Sequence, residues 1–195
     1  MQDSRYEIRF AGSGGQGIIT AALVFAEAAA MDTKNHVCQT QSYGPEARGG
    51  TSNAEVIISK NIIDYPKATG LDLLFALTQA SCDAYFSDLK PDGLLVVDST
   101  LVHQIPTERV VSLSFSQIAL DATGKELVTN MVVLGTAGYL TQVVSLQNLE
   151  KALQKRVPKG TEEMNRKAFR AGIKAAKKID MTSLPATVIP QEEEV

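Results

Sequence analysis

Tyr6-Glu7-Ile8-Arg9-Phe10-Ala11-Gly12-Ser13-Gly14-Gly15-Gln16-Gly17-Ile18-Ile19-Thr20-Ala21-Ala22 passes from a β-prone run through a glycine cluster into an Ala/Leu-rich segment. The reading is strand over Tyr6 to Ala11, loop, then helix over Ile18 to Met31, a stretch free of Gly and Pro. Gly12, Gly14 and Gly17 satisfy G-x-G-x-x-G in the strand-to-helix context that gives this short pattern its meaning. Glycines let the backbone turn tightly and approach a ligand, and amide groups at a helix N-terminus attract an anion, so a phosphate or pyrophosphate is the natural occupant. The competing reading is a loop that only permits a tight turn and close helix–sheet packing.

Working outward, the turn Asp32-Thr33-Lys34-Asn35 leads to a second β-prone stretch, His36 to Gln41, which completes a βαβ unit with a right-handed crossover. Ser42 to Gly50 is a polar loop, and Thr51 to Ser59 resumes as a strand. There Ala54, Val56 and Ile58 alternate with Asn53 and Glu55, so one face is expected to be wet or to meet another subunit. Leu71 to Leu77 and Leu94 to Asp98 read as strands covered on both faces, and Arg109 to Phe115 as one more. Between them Thr78 caps a helix from Gln79 to Leu89, which Lys90-Pro91-Asp92-Gly93 ends. The sheet therefore has at least five strands. Helices follow over Asn130 to Gln142, Leu146 to Val157 behind Ser145, and Glu162 to Ile179 behind Thr161. The fold class expected is α/β: a three-layer αβα domain with a mostly parallel, Rossmann-like sheet and C-terminal helices, over residues 1–180. Residues 181–195, with two prolines and three consecutive glutamates, read as a flexible tail or an arm that orders on a partner.

The 195 residues are 44% hydrophobic and 21% charged, the range of an ordinary globular domain. A formal charge of −3 gives no support to non-specific nucleic-acid binding. The apolar stretches are far shorter than the ~20 residues of a membrane span, and the N-terminus lacks a basic region followed by an apolar one, so a cytoplasmic protein is expected. Cys38 and Cys82 are too few for the four thiolates of an iron–sulfur cluster or an all-cysteine zinc site. No metal or covalent cofactor is expected on this chain.

A nicotinamide dinucleotide site wants an Asp or Glu at the end of the second strand, where this chain has Cys38, Gln39, Thr40 and Gln41. A P-loop wants Lys and Ser/Thr directly after the last glycine, where Ile18, Ile19 and Thr20 stand. Simple NAD use and ATP hydrolysis are both disfavoured. A second motif, Gln41-Ser42-Tyr43-Gly44-Pro45-Glu46-Ala47-Arg48-Gly49-Gly50-Thr51-Ser52, falls beyond the carboxyl end of a strand, where open α/β sheets bind ligands. Arg48 suits a carboxylate or phosphate and Tyr43 offers a flat amphipathic surface, although Glu46 pairing with Arg48 in a plain surface turn accounts for the same residues.

Together, GSGGQGIITAA and QSYGPEARGGTSNAEVIIS resemble the gamma subunit of 2-oxoacid:ferredoxin oxidoreductases, most closely the 2-oxoglutarate enzymes. The resemblance implies a multi-subunit enzyme that oxidatively decarboxylates a 2-oxoacid with coenzyme A, giving acyl-CoA, carbon dioxide and reduced ferredoxin. It implies thiamine diphosphate and magnesium between alpha and beta subunits, iron–sulfur clusters on the delta or beta subunit, and ferredoxin as the partner of the complex. This chain, inactive alone, would contact coenzyme A or complete a neighbouring thiamine site. The residues expected at that site are Gly12, Ser13, Gly14, Gly15, Gln16, Gly17, Ser42, Tyr43, Gly44, Glu46, Arg48, Gly49 and Gly50. The alternatives are a stand-alone dinucleotide-binding oxidoreductase, the same complex acting on pyruvate or 2-oxoisovalerate, and an assembly module with a vestigial loop.

His36 and His103 lack catalytic or ligating neighbours at a defined spacing and read as structural. Asp98 ends a central strand and either reaches the ligand crevice or closes an Asx turn with Ser99 and Thr100. Lys167, Arg170, Lys174, Lys177 and Lys178 form a solvated helix face or a subunit contact.

Overall fold

The computed structural model describes residues 5–43 and 51–188. Strands are β1 (Arg5–Ser13), β2 (His36–Tyr43), β3 (Thr51–Ser59), β4 (Leu71–Ala76), β5 (Leu89–Asp98) and β6 (Val110–Leu113). Helices are α1 (Ile18–Ala30), α2 (Gln79–Tyr85), α3 (Phe115–Thr123), α4 (Thr129–Thr141), α5 (Leu146–Arg156) and α6 (Glu162–Ala176). They form a single α/β domain around one mixed sheet of order β2-β3-β1-β4-β5-β6. The pairs β1·β4, β4·β5 and β5·β6 are parallel, while β3 runs antiparallel to both β1 and β2. Five strands thus share a direction, and β3 separates the two strands of the expected βαβ unit.

The two faces of the sheet are covered unequally. Ile8, Phe10, Phe75 and Val96 belong to a large core that also takes in residues of α1, α3, α4, α5 and α6. Phe10 stacks on Phe75 at 5.2 Å, and their rings are flanked by Phe25 of α1 and Phe115 of α3. The opposite face carries a small cluster of Leu74, Ala76, Leu95 and Val97 under Cys82 of α2. Burial pushes the Cys82 thiol up to about 11, so it behaves as an inert apolar side chain.

Toward β2 that second face is polar, which corrects the expectation of a wet β3. Glu55 is buried, and it pairs with Arg9 across the β1–β3 register. The Arg9 guanidinium also pairs with Asp88 and lies 4.7 Å from the Tyr85 ring. The segment 60–70 crosses this face as a strap held by its backbone. Arg5 donates to the carbonyls of Tyr65 and Lys67, Glu55 accepts from the Ala68 amide, and Glu7 accepts from the amides of Thr69 and Gly70. Burial raises the Glu7 pKa, but the hydrogen bonds from Gly70, Arg5 and Thr69 outweigh it and hold the carboxyl below the ordinary value. Asp72 is raised, by burial, despite its contact with Lys90.

The depressed Glu7 carboxyl therefore contributes stability that is present above its unfolded value of about 4.5 and is lost as pH falls through its lower folded value. Asp72 acts with the opposite sign. Thermal unfolding of Glu7→Gln is expected to begin from a lower melting temperature at pH 7 and to fall less steeply than wild type between pH 5 and pH 3. Equal slopes for the two proteins would mean that Glu7 does not hold the strap.

Further boundaries differ from the sequence reading, and α6 ends at Ala176 rather than Ile179. The helix after Thr78 ends at Tyr85 with a 3-10 turn over Phe86–Asp88, and Thr78 caps it by accepting from the Ser81 amide. Lys90 to Gly93 belong to β5, whose pairing with β4 shifts register between Leu71 and Leu73. This irregularity tolerates Pro91, which has no amide to donate. Phe115 opens α3, a helix the sequence reading missed, rather than ending a strand. Beyond α6, Leu184 packs on the larger core, Arg109 donates to the Pro185 carbonyl, and the Val188 amide donates to that of Pro91.

Candidate functional site

At the carboxyl edge of the sheet, a cleft of about 540 Å³ is lined by Gly15 and Gln16 of the glycine loop, Thr100 and Leu101 after β5, Ser116 and Gln117 of α3, and Glu126, Leu127 and Thr129 around the start of α4. Its size is that of a small-molecule site. The position is where open α/β sheets place ligands, because the loops that follow parallel strands meet there.

The glycine loop is built around its own glutamine. Gln16 Oε1 accepts from the Ser13 amide at 2.8 Å and fills the space beside Gly12, so a side chain at Gly12 would collide with it. Gly15 and Gly17 adopt positive φ, of 93° and 71°. A Cβ at Gly17 would lie 2.5 Å from Asn130 Nδ2, which donates to the Gly17 carbonyl and locks α4 onto the loop. Gly14 is different, since a Cβ there meets nothing within 4 Å. The loop thus has a packed half, Gly12 and Gly17, and an open half, Gly14 and Gly15.

Three helices begin at this cleft: α1 at Gly17, α3 at Ser114 and α4 at Val128. None of them has a side-chain cap or an acidic residue in its first turn. By contrast α2 and α5 are capped by Thr78 and Ser145, and α6 opens with Glu162 and Glu163. The uncapped termini of α1 and α3 each act as roughly half a positive charge with free amide donors, whereas α4 continues from a 3-10 turn over Glu126–Val128 and its Thr129 amide donates to the Glu126 carbonyl. Among the described residues, the only carboxylate in the lining, Glu126, is exposed. The cleft rim also carries Leu101 and Leu127, the latter 80% exposed. Such a site suits an anionic group with an apolar or planar group beside it.

Of the expected site residues, Gly15 and Gln16 line the cleft, Gly12, Ser13, Gly14 and Gly17 form the rest of the loop, and Ser42 and Tyr43 end β2 on the same edge of the sheet. Tyr43 is exposed, and two strand spacings, about 10 Å, separate its strand end from that of β1. Gly44, Glu46, Arg48, Gly49 and Gly50 lie outside the described residues. Asp98 closes the Asx turn: Oδ1 accepts from the Thr100 amide and hydroxyl, while Oδ2 is buried without a hydrogen-bond partner. His36 and His103 are exposed, and among the described residues no cluster of His, Cys, Asp or Glu could hold a metal ion. Sequence reading missed the far wall, Ser116, Gln117, Leu127 and Thr129. Ser114 ahead of the Phe115/Ala119 pair, with Gly124 behind, was the available start and stop signal for α3.

Comparison with known proteins bears on this edge and on the whole chain. The family described as pyruvate ferredoxin/flavodoxin oxidoreductase matches residues 7–175. A 2-oxoglutarate synthase subunit KorC from Methanocaldococcus jannaschii is 44% identical over 179 residues, 90% of this chain and 96% of that protein. Its counterpart from Methanothermobacter thermautotrophicus is 42% identical, over 88% and 95%. Among solved structures, the gamma subunit of a keto/oxoacid ferredoxin oxidoreductase from Geobacter sulfurreducens superposes with a TM-score of 0.81 at 44% identity, covering 94% of this chain and 98% of its own. No helix among the described residues is long and apolar enough to cross a membrane. With the match running through the sheet, the glycine loop and the C-terminal helices alike, the chain belongs to the pyruvate ferredoxin/flavodoxin oxidoreductase family, as a subunit of a 2-oxoacid:ferredoxin oxidoreductase.

Proposed function

We propose that this chain is the gamma subunit of a cytoplasmic 2-oxoglutarate:ferredoxin oxidoreductase and that its cleft positions coenzyme A through a phosphate. The observation that carries the reading is the convergence of the uncapped N-termini of α1 and α3 on the cleft beside the open half of the glycine loop. The relatives named for 2-oxoglutarate favour that substrate over pyruvate. The complex cleaves the bond between the 2-oxo carbon and the carboxylate, releases carbon dioxide, joins the acyl group to the coenzyme A sulfur and passes the electrons to ferredoxin. Thiamine diphosphate, magnesium and the iron–sulfur clusters belong to alpha, beta and delta partners. Two cysteines on separate elements, one of them buried, do not fit a cluster here. A stand-alone dinucleotide enzyme is disfavoured, since the end of β2 offers the neutral Gln41, Ser42 and Tyr43 to a ribose.

Gly14→Val tests the reading in the reconstituted complex. A Cβ at Gly14 meets nothing within 4 Å, so the variant is expected to fold while ligand space is lost. The KM for coenzyme A is expected to rise at least tenfold, about 1.4 kcal/mol, with the KM for 2-oxoglutarate unchanged. Coenzyme A dependence equal to wild type in an assembled complex would reduce the loop to a packing turn.

A further inference from the structure

The charges of this protein are segregated along the chain. Between residues 151 and 178 lie ten of its nineteen Lys and Arg, but only two of its twenty-two Asp and Glu. That short region is +8, and the rest of the chain is −11. It folds into α5, α6 and their connection, and its inner side is buried: Ala152 and Leu153 of α5, Ala168 and Phe169 of α6. The basic side chains are left outside. On α6 the spacing of Lys167, Arg170 and Lys174 keeps them on one stripe, Lys178 follows in the turn just beyond the helix, and all four are exposed. On α5 Lys151 and Lys155 do the same, and the Arg170–Glu150 ion pair joins the two helices along this outer surface.

Ordinary causes account for part of the charge. Lys174 in the last turn complements the α6 dipole. Arg156 pairs with Glu27, Arg166 with Glu163, and Lys177 lies 6.0 Å from the Tyr139 ring. Lys151, Lys155, Lys159, Lys167, Lys174 and Lys178 have no carboxylate partner among the described residues. A surface meant only for water mixes both signs, because a single-sign field repels itself. One-sign surfaces instead steer and orient a complementary partner. The helices are about 16 and 22 Å long, the scale of one protein contact patch. A polyanion such as RNA would run on from this patch onto a surface of opposite sign to it, whereas a compact acidic face would not.

We propose that the outer surface of α5 and α6 docks an acidic face of another subunit of the oxidoreductase complex. This rests on the chain's membership of a multi-subunit enzyme. The test is assembly of the full complex, followed by sedimentation at 50 and 300 mM NaCl, for wild type, for Lys167→Glu/Lys174→Glu/Lys178→Glu, and for a control with the same charge change at Lys34, Lys60 and Lys67. The α6 variant is expected to bind its partner subunits at least 100-fold more weakly at 50 mM, with its melting temperature retained, while the control assembles normally. Wild-type association is expected to weaken about tenfold between the two salt concentrations. Equal weakening in variant and control would overturn the proposal, as would an α6 variant that assembles like wild type. An α6 variant that assembles normally but loses binding to a labelled RNA overturns it in favour of a nucleic-acid contact. Failure of the wild-type chain to join any subunit would instead strike the subunit reading itself.

Discussion

Gly172→Ala is expected to lower the melting temperature by roughly 6–12 °C, taking an overpacking cost of about 3 kcal/mol and ~2–4 °C per kcal/mol for a domain of this size. α4 and α6 cross with their backbones almost touching. A Cβ at Gly172 would fall well inside contact distance of the Val132 carbonyl oxygen, and one at Gly135 would meet the Phe169 carbonyl in the same way. Thr136 Oγ1 donates to the Gly172 carbonyl at 3.3 Å and fixes the crossing. Alanine is the better helix former by up to ~1 kcal/mol, so propensity alone would stabilise. The clash wins because both obstacles are backbone atoms, and only separation of the helices relieves it. Gly14→Ala is the control, with nothing near its Cβ. Calorimetry showing the two variants melting together would mean that the helices do not approach closely.

Arg9→Met carries a comparable effect for a different reason. Arg9 donates through Nε and Nη2 to Glu55 Oε1 and through Nη1 to Asp88. Burial lowers its pKa, but the contacts with Asp88 and Glu55 outweigh this and raise it above the ordinary arginine value. Its removal hardly troubles Asp88, which reaches solvent, but strands Glu55 in a buried position. The expected loss is ~3–5 kcal/mol in urea unfolding at pH 7. Arg9→Met/Glu55→Leu is expected to recover part of that loss, since no uncompensated charge remains, though the strap loses the Ala68 contact to Glu55. A double variant no more stable than the single would show that the charge pair is not the source of the cost.

The same pair shows where sequence reading stops. Asn53 and Glu55 alternate with apolar residues, which locally signals a wet strand face. The cation that neutralises Glu55 lies 46 positions away on β1, and only the register reveals it. The glycine loop and α1 were legible because backbone demands and helical composition adjoin there. The start of β5 was not, since Pro91 and Gly93 signal a break wherever the partner strand is unknown. The cleft was legible on one wall only. Gly15 and Gln16 sit in a recognisable motif, whereas Thr100, Ser116, Leu127 and Thr129 come from segments that strand order alone brings together. The intrusion of β3 between β1 and β2 follows from antiparallel pairing on both its edges, which a crossover rule for neighbouring parallel strands does not anticipate.

That strand order also bears on how the chain is made. β2 and β3 reach the growing chain soon after β1, and β3 pairs with both. β4 is then laid beside β1, β5 beside β4 and β6 beside β5. β2 waits only for the strand that directly follows it, β3, and from β4 onward each strand joins one already made, so the sheet can grow in step with translation at ~5–20 residues per second. The larger core is otherwise, because α4, α5 and α6 occupy residues 129–176. A nascent chain halted before Thr129 holds all six strands yet lacks the α4, α5 and α6 residues of the larger core, the interval in which a chaperone would have most to cover.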